Sequence, residues 1–305
     1  MHVVVAGSSG FLGRRLVTEL RGRGHDVTCL VRRDPAPGHA PDTAESRWDP
    51  QSGVVDTGLV RGADVVVNLA GAPLIGNPHS KKWARDVMTS RRATTGLLAA
   101  TIAAAPSPPA LVNASGVSWY GDHGPTELTE ASDTRGHALL TRVAREWEAA
   151  TEPAARAGAR VVRLRTAPVQ DRSNAPLQQQ RLQFLAGLGG RLGNGRQYYP
   201  LISLRDWIGA AAFLLEHPTA SGPFNLCAPD TPTNAEFTRA LARLVHRPAL
   251  LPAPAAAIRL AAGPMADEVL GSLNLRPAAL LDLGYGFADP DVESVLATGL
   301  RATTA

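Results

Sequence analysis

Three glycines spaced three apart, Gly7, Gly10 and Gly13, fall where the apolar run Val3-Val4-Val5-Ala6 gives way to Leu12, Leu16, Val17 and Leu20 at helical spacing. No other stretch constrains the fold as much, because strand, tight turn and helix must follow one another directly. Each glycine has its own expected role. Gly7 permits the turn, Gly10 lets backbone N–H groups approach a pyrophosphate, and Gly13 lets the helix pack on its strand. The helix then presents free N–H groups and the positive end of its dipole to an anion. Gly7, Ser8, Ser9, Gly10, Phe11, Leu12 and Gly13 are therefore the expected cradle for a dinucleotide. The alternative is a glycine-rich turn that serves packing alone.

Residues 26–31 read as the second strand of a βαβ unit, ending at Arg32-Arg33. An acidic residue at this strand end accepts a bond from a ribose 2′-hydroxyl, whereas an arginine suits a 2′-phosphate. Arg32 and Arg33 thus predict NADP(H) over NAD(H), unless they are only exposed surface. Residues 34–50 read as a Pro/Gly/Asp-rich loop. Residues 63–71 read as a buried parallel strand closing in Asn68, Ala70 and Gly71, expected neighbours of the adenosine or ribose. Ser80 is placed to cap a long helix whose first turn carries Lys81 and Lys82, an unfavourable pair for the helix dipole unless an anion lies nearby. Further strands at 110–114 and 160–165 make β and α alternate. The expectation is an α/β protein with a Rossmann-type doubly wound parallel sheet and a smaller C-terminal lobe. We expect a dinucleotide-binding domain over 1–165, completed by parts of 205–245, and a substrate-binding lobe over 166–305 that does not fold independently.

The 31 basic and 27 acidic residues are scattered, so the net charge of +4 makes no nucleic-acid footprint. Cys29 and Cys227 lie far apart in apolar runs, which argues against a disulfide framework and a zinc site and places both in the core. No apolar run reaches the roughly 20 residues that span a bilayer, and the chain opens on a strand rather than a leader. A cytoplasmic monomer or homodimer acting on a small-molecule substrate, with no metal, membrane or nucleic-acid partner, is expected.

From Ser115 through Gly121 the chain resembles the extended short-chain dehydrogenase/reductases, and most closely their atypical, epimerase-like branch with its own C-terminal region. The resemblance runs over essentially the whole chain. It is carried by the glycine fingerprint, Trp48-Asp49-Pro50, Asn68-Leu69-Ala70-Gly71, Glu146-Trp147-Glu148, Phe224-Asn225-Leu226, and Arg276-Pro277 followed by Gly284-Tyr285-Gly286-Phe287. It implies a nicotinamide cofactor and a catalyst made of Ser or Thr with Tyr-x-x-x-Lys, in which the tyrosine handles the substrate proton and the lysine lowers its pKa. That pair is missing. Counting forward from Tyr120-Gly121 and backward from Glu148 puts the tyrosine position near Leu140 and the lysine position near Ala144. The pair is the superfamily's, and the branch that the chain resembles commonly lacks it; the chain departs from the branch itself at 115–121, 168–175 and 201–206, where substrate is expected to sit.

The remaining candidates are Ser115, to orient an oxygen; Tyr120, as an acid or as a wall of the nicotinamide pocket; and His137, which a helix through Leu140 would place on the same face one turn earlier. Asp122 and His123 are a loop pair that either enters the site or only makes a turn. Residues 177–185 read as an amphipathic helix roofing the pocket, and Tyr198-Tyr199 either line a substrate or pack. The favoured expectation is an NADP(H)-dependent oxidoreductase acting on a small molecule such as a specialised metabolite. A non-redox cyclase, dehydratase or isomerase on the same fold, or a non-catalytic nucleotide-binding protein, stands beside it.

Overall fold

The computed structural model describes residues 1–35 and 44–301. Its strands are β1 His2–Ala6, β2 Asp26–Val31, β3 Glu45–Arg47, β4 Val65–Asn68, β5 Ala110–Gly116, β6 Glu127–Leu128, β7 Val161–Thr166, β8 Val169–Gln170, β9 Ile202–Ser203, β10 Gly222–Leu226 and β11 Asn274–Leu275. Its helices are α1 Phe11–Gly22, α2 Thr57–Arg61, α3 Lys81–Ala103, α4 Leu139–Ala149, α5 Glu152–Arg156, α6 Ala175–Leu185, α7 Leu204–Glu216, α8 Asn234–Leu244, α9 Ala255–Ala262, α10 Ala266–Leu270, α11 Ala278–Asp282 and α12 Val292–Arg301.

Seven strands form one sheet in the order β10-β7-β5-β4-β1-β2-β3, with parallel neighbours throughout. Helices cover both faces, so alternate residues of each strand enter different cores. Val3 and Val5 pack with Leu16 and Leu20 of α1 and with α7, while Val4 and Val66 pack with Leu98 and Ile102 of α3. Burial on both faces is why these strands read as unbroken apolar runs. The order reverses between β1 and β4, and the crevice beyond their carboxyl ends is where such sheets bind ligands.

The expected loop over 34–50 needs correction, because Glu45–Arg47 pairs in parallel with β2; residues 36–43 lie outside the described residues. A three-residue strand at the sheet edge has no fully buried side chain, so it leaves no hydrophobic pattern to read. The 177–185 helix is present as part of α6 but is not amphipathic. Only Leu177 and Phe184 are buried, and Leu182 and Leu185 face outward. Tyr199 meets Phe237 edge-on in the core that joins α6, α8 and α12, so packing accounts for it.

The segments at 168–175 and 201–206 also have structural partners. Val169–Gln170 pairs with Ile202–Ser203, and Asn174 caps α6. Ser203 caps α7 by accepting from the Asp206 N–H, and the buried Asp206 carboxylate accepts from Ala288 N and Asp289 N at 2.9 and 2.7 Å. These side chains fasten the C-terminal segment to the sheet. Among the described residues no helix is long and apolar enough to cross a membrane.

Candidate functional site

The turn between β1 and α1 is as tight as the glycine spacing requires. Gly7 has φ +83°, and a Cβ there would stand 2.7 Å from Ala70 N, so the turn rests directly on the segment after β4. A Cβ at Gly13 would stand 2.1 Å from the Gly7 carbonyl oxygen. At Gly10 only that same oxygen is close, at 3.2 Å; Ser9 and Gly10 form the exposed tip. Gly10 is also the N-cap of α1 and offers no side-chain cap. The first N–H groups of α1 have no intrahelical acceptor, and with no side chain at Gly10 to cap them they are left able to receive an anion.

At the end of β2 the two arginines differ. Arg33 is committed to Glu45, with Nη2 to Oε1 at 2.6 Å, whereas Arg32 is exposed and forms no ion pair among the described residues. Asn68 needs correction as a ligand neighbour. It is fully buried, donates to Thr95 Oγ1 and Asn113 Oδ1 at 2.8 Å each, and accepts from Ala70 N. It shapes the turn that presents Ala70 and Gly71. Lys82 pairs with Asp86 at 2.6 Å on an exposed face, and Ser80 caps α3 as expected.

At the carboxyl end of β5 the candidate catalytic groups are already engaged. Ser115 is buried and donates from Oγ to Glu148 Oε1 at 2.8 Å. Glu148 in turn receives Arg165 Nε and Nη2, both at 2.9 Å, and the Arg165 guanidinium lies 3.5 Å over the Trp119 ring. Burial opposes the charge on Arg165, but its bonds to Glu148 outweigh burial and raise its pKa. Tyr120 is buried and donates to Asn225 Oδ1 at 2.7 Å, and burial pushes its pKa up to about 12. A phenol so placed does not release a proton near neutrality.

His137 also needs correction. Helix α4 begins at Leu139 after an extended Ala138, so His137 precedes the helix, is exposed, and shares no helical face with Leu140. Asp122 and His123 serve the turn: Asp122 Oδ1 accepts from Gly124 N and Ser272 N, and His123 is buried against the Tyr120 carbonyl.

Sequence reasoning missed one group near the absent tyrosine. Ala138 supplies no side-chain cap to α4; instead Glu268, from α10 in the C-terminal region, accepts from Leu140 N at 2.7 Å. Its carboxyl also meets Thr141 N and the Ser118 side chain, yet burial holds its pKa above the usual carboxylate range. Met265, just before it, packs on Val87, Leu139 and Val143. The C-terminal region thereby brings a carboxyl to the start of α4, where Leu140 and Ala144 have no chemistry to offer.

Comparison with known proteins covers nearly the whole chain. The model of the NAD dependent epimerase/dehydratase family matches residues 3–227, and a domain of unknown function, DUF1731, matches 253–298. An epimerase family protein of Mycobacterium bovis is 40% identical over 286 residues, 93% of each chain. The epimerase family protein SDR39U1 of Mus musculus is 35% identical over 97% of this chain and 98% of its own. The crystal structure of human epimerase family protein SDR39U1 (isoform 2) with NADPH matches with a TM-score of 0.84 at 31% identity, covering 98% of this chain and 99% of that one.

Proposed function

The chain belongs to the NAD dependent epimerase/dehydratase family, and from that premise we propose that it is an NADP(H)-dependent oxidoreductase acting on a small molecule. The observation that carries the cofactor assignment is the uncapped start of α1 behind a glycine turn that rejects side chains, with Arg32, free of ion pairs among the described residues, placed for a 2′-phosphate. A bound nicotinamide supplies the hydride chemistry. The chain's own residues have to hold the acceptor, exclude water and carry a proton. The Ser115–Glu148–Arg165 network keeps the end of β5 rigid as a positioning element. We assign the proton to the Glu268 carboxyl, which stands beside Ser118 and Leu140 and which burial keeps easy to protonate.

Calorimetric titration of the wild type with NADPH and NADH tests the cofactor: NADPH binds at least tenfold tighter, and Arg32→Ala removes most of that preference. Failure of both nucleotides to bind sinks the assignment. Glu268→Gln is expected to leave NADPH affinity intact while lowering turnover about 10²–10⁴-fold, the range of general acid–base catalysis. The apolar Leu140 and Ala144 favour a second reading, a non-redox isomerase or dehydratase that holds the nucleotide as part of its pocket. It predicts product formation with no change in nicotinamide absorbance.

A further inference from the structure

Successive turns of α3 hold the end of β4 and the segment that follows it. Ser90 Oγ accepts from Ala72 N at 2.9 Å, Arg91 Nη1 donates to the Ala72 carbonyl at 3.1 Å, and Thr94 Oγ1 donates to the Ala70 carbonyl at 3.2 Å. Thr95 Oγ1 accepts from Asn68 at 2.8 Å. Three of these four latches use neutral groups. Arg91 alone brings a formal charge into the interior.

Among the described residues that charge has no counterion. Arg91 is 6% exposed, its Nη1 meets only the neutral carbonyls of Ala72 and Val87, and its Nε is buried without an acceptor. No described carboxylate pairs with it, whereas Arg165, the other buried arginine, is held by both oxygens of Glu148. Burial lowers the Arg91 pKa to about 10, so it stays charged at neutral pH. The Trp147 ring, 4.7 Å from its guanidinium carbon, offsets part of the cost, but an unpaired buried cation remains unfavourable.

Its location suggests what balances it. The guanidinium carbon lies 3.1 Å from where a Cβ on Gly71 would be, and the neighbouring Ala70 N lies 2.7 Å from where a Cβ on Gly7 would be. Arg91 therefore packs on the backbone layer at Gly71, and that segment in turn packs on the glycine turn where the ends of β1 and β4 meet, the switch point where such sheets bind ligands. Poor screening by the protein interior lets the charge act across that layer.

We propose that Arg91 is a buried anion-binding charge whose counterion is a phosphate group of the dinucleotide held in the β1/β4 crevice. The proposal rests on the cofactor reading above and adds a residue to that site. It predicts opposite signs for stability and binding. Arg91→Met, similar in length but neutral, melts at or above the wild-type temperature without nucleotide, yet binds NADPH at least tenfold more weakly and with a shallower salt dependence. Arg91→Lys, which keeps the charge, retains most of the affinity. If Arg91 is only a tether for Ala72, Arg91→Met melts lower or does not fold, or its folded fraction binds NADPH as tightly as wild type; any of these overturns the proposal. A wild type that binds no nucleotide overturns the cofactor reading and this proposal together, whereas equal binding by wild type and Arg91→Met overturns this proposal alone.

Discussion

Not all glycines in this chain are equivalent, and their surroundings distinguish them. A methyl at Gly13 would press into the Gly7 carbonyl oxygen at 2.1 Å, while one at Gly96, inside α3, would meet nothing within 4 Å. Gly13→Ala is therefore expected to cost about 1–3 kcal/mol by overpacking and, on the proposed function, to abolish NADPH binding. Gly96→Ala should stabilise by up to about 1 kcal/mol through helix propensity. Thermal melts of the two variants should move in opposite directions. Glu268 carries a prediction of its own. A carboxyl whose pKa is raised in the folded state contributes stability that is complete below its unfolded pKa of about 4.3 and is lost as pH rises through the folded value. Wild type should lose stability relative to Glu268→Gln as pH climbs through that window; parallel profiles would mean the carboxyl is as solvated in the folded chain as in the unfolded one.

Among the elements, α7 has two duties. Its buried face, including Trp207 and Leu214, packs against α1 and the sheet, and its first turn anchors residues 285–289. Asp206 is the anchor, because both carboxylate oxygens accept from backbone N–H groups of that segment. Bonds to a charged acceptor contribute about 1.5–3 kcal/mol each, so Asp206→Ala should free the segment. Hydrogen exchange is expected to rise in 285–301 and to stay unchanged at the glycine turn. Uniform acceleration across the chain would mean that Asp206 supports the whole fold rather than this junction. Helix α4 has the same dependence on the C-terminal region, since its cap is Glu268.

For the molecule as a whole, the C-terminal region is part of the core. Leu275 and Leu280 belong to the cluster that contains β1 and α1, and Val295 and Leu296 close the cluster of α6 and α8. Burying four such side chains contributes roughly 6–12 kcal/mol, comparable to a total stability of about 5–15 kcal/mol. A chain ending at His246 is therefore expected to be unfolded or aggregated, with circular dichroism lacking a cooperative melt. A cooperative melt from that fragment would show that the first 246 residues fold alone.

Local residue patterns are enough to specify the sheet and the glycine turn between β1 and α1. Parallel strands buried on both faces must be apolar throughout, and a glycine turn is set by residues within a few positions of one another, so both are legible along the chain. The edge strand Glu45–Arg47 escaped because one exposed side removes the pattern. Which polar groups remain available depends instead on how the elements pack. Ser115 and Tyr120 keep their expected places near the end of β5, but partners distant in sequence, Glu148 and Asn225, already hold their hydroxyls. Glu268 reaches Leu140 across 128 residues, and Arg91 stands behind Gly71 with no described carboxylate folded toward it. Such contacts follow from packing between elements, which residue spacing does not encode.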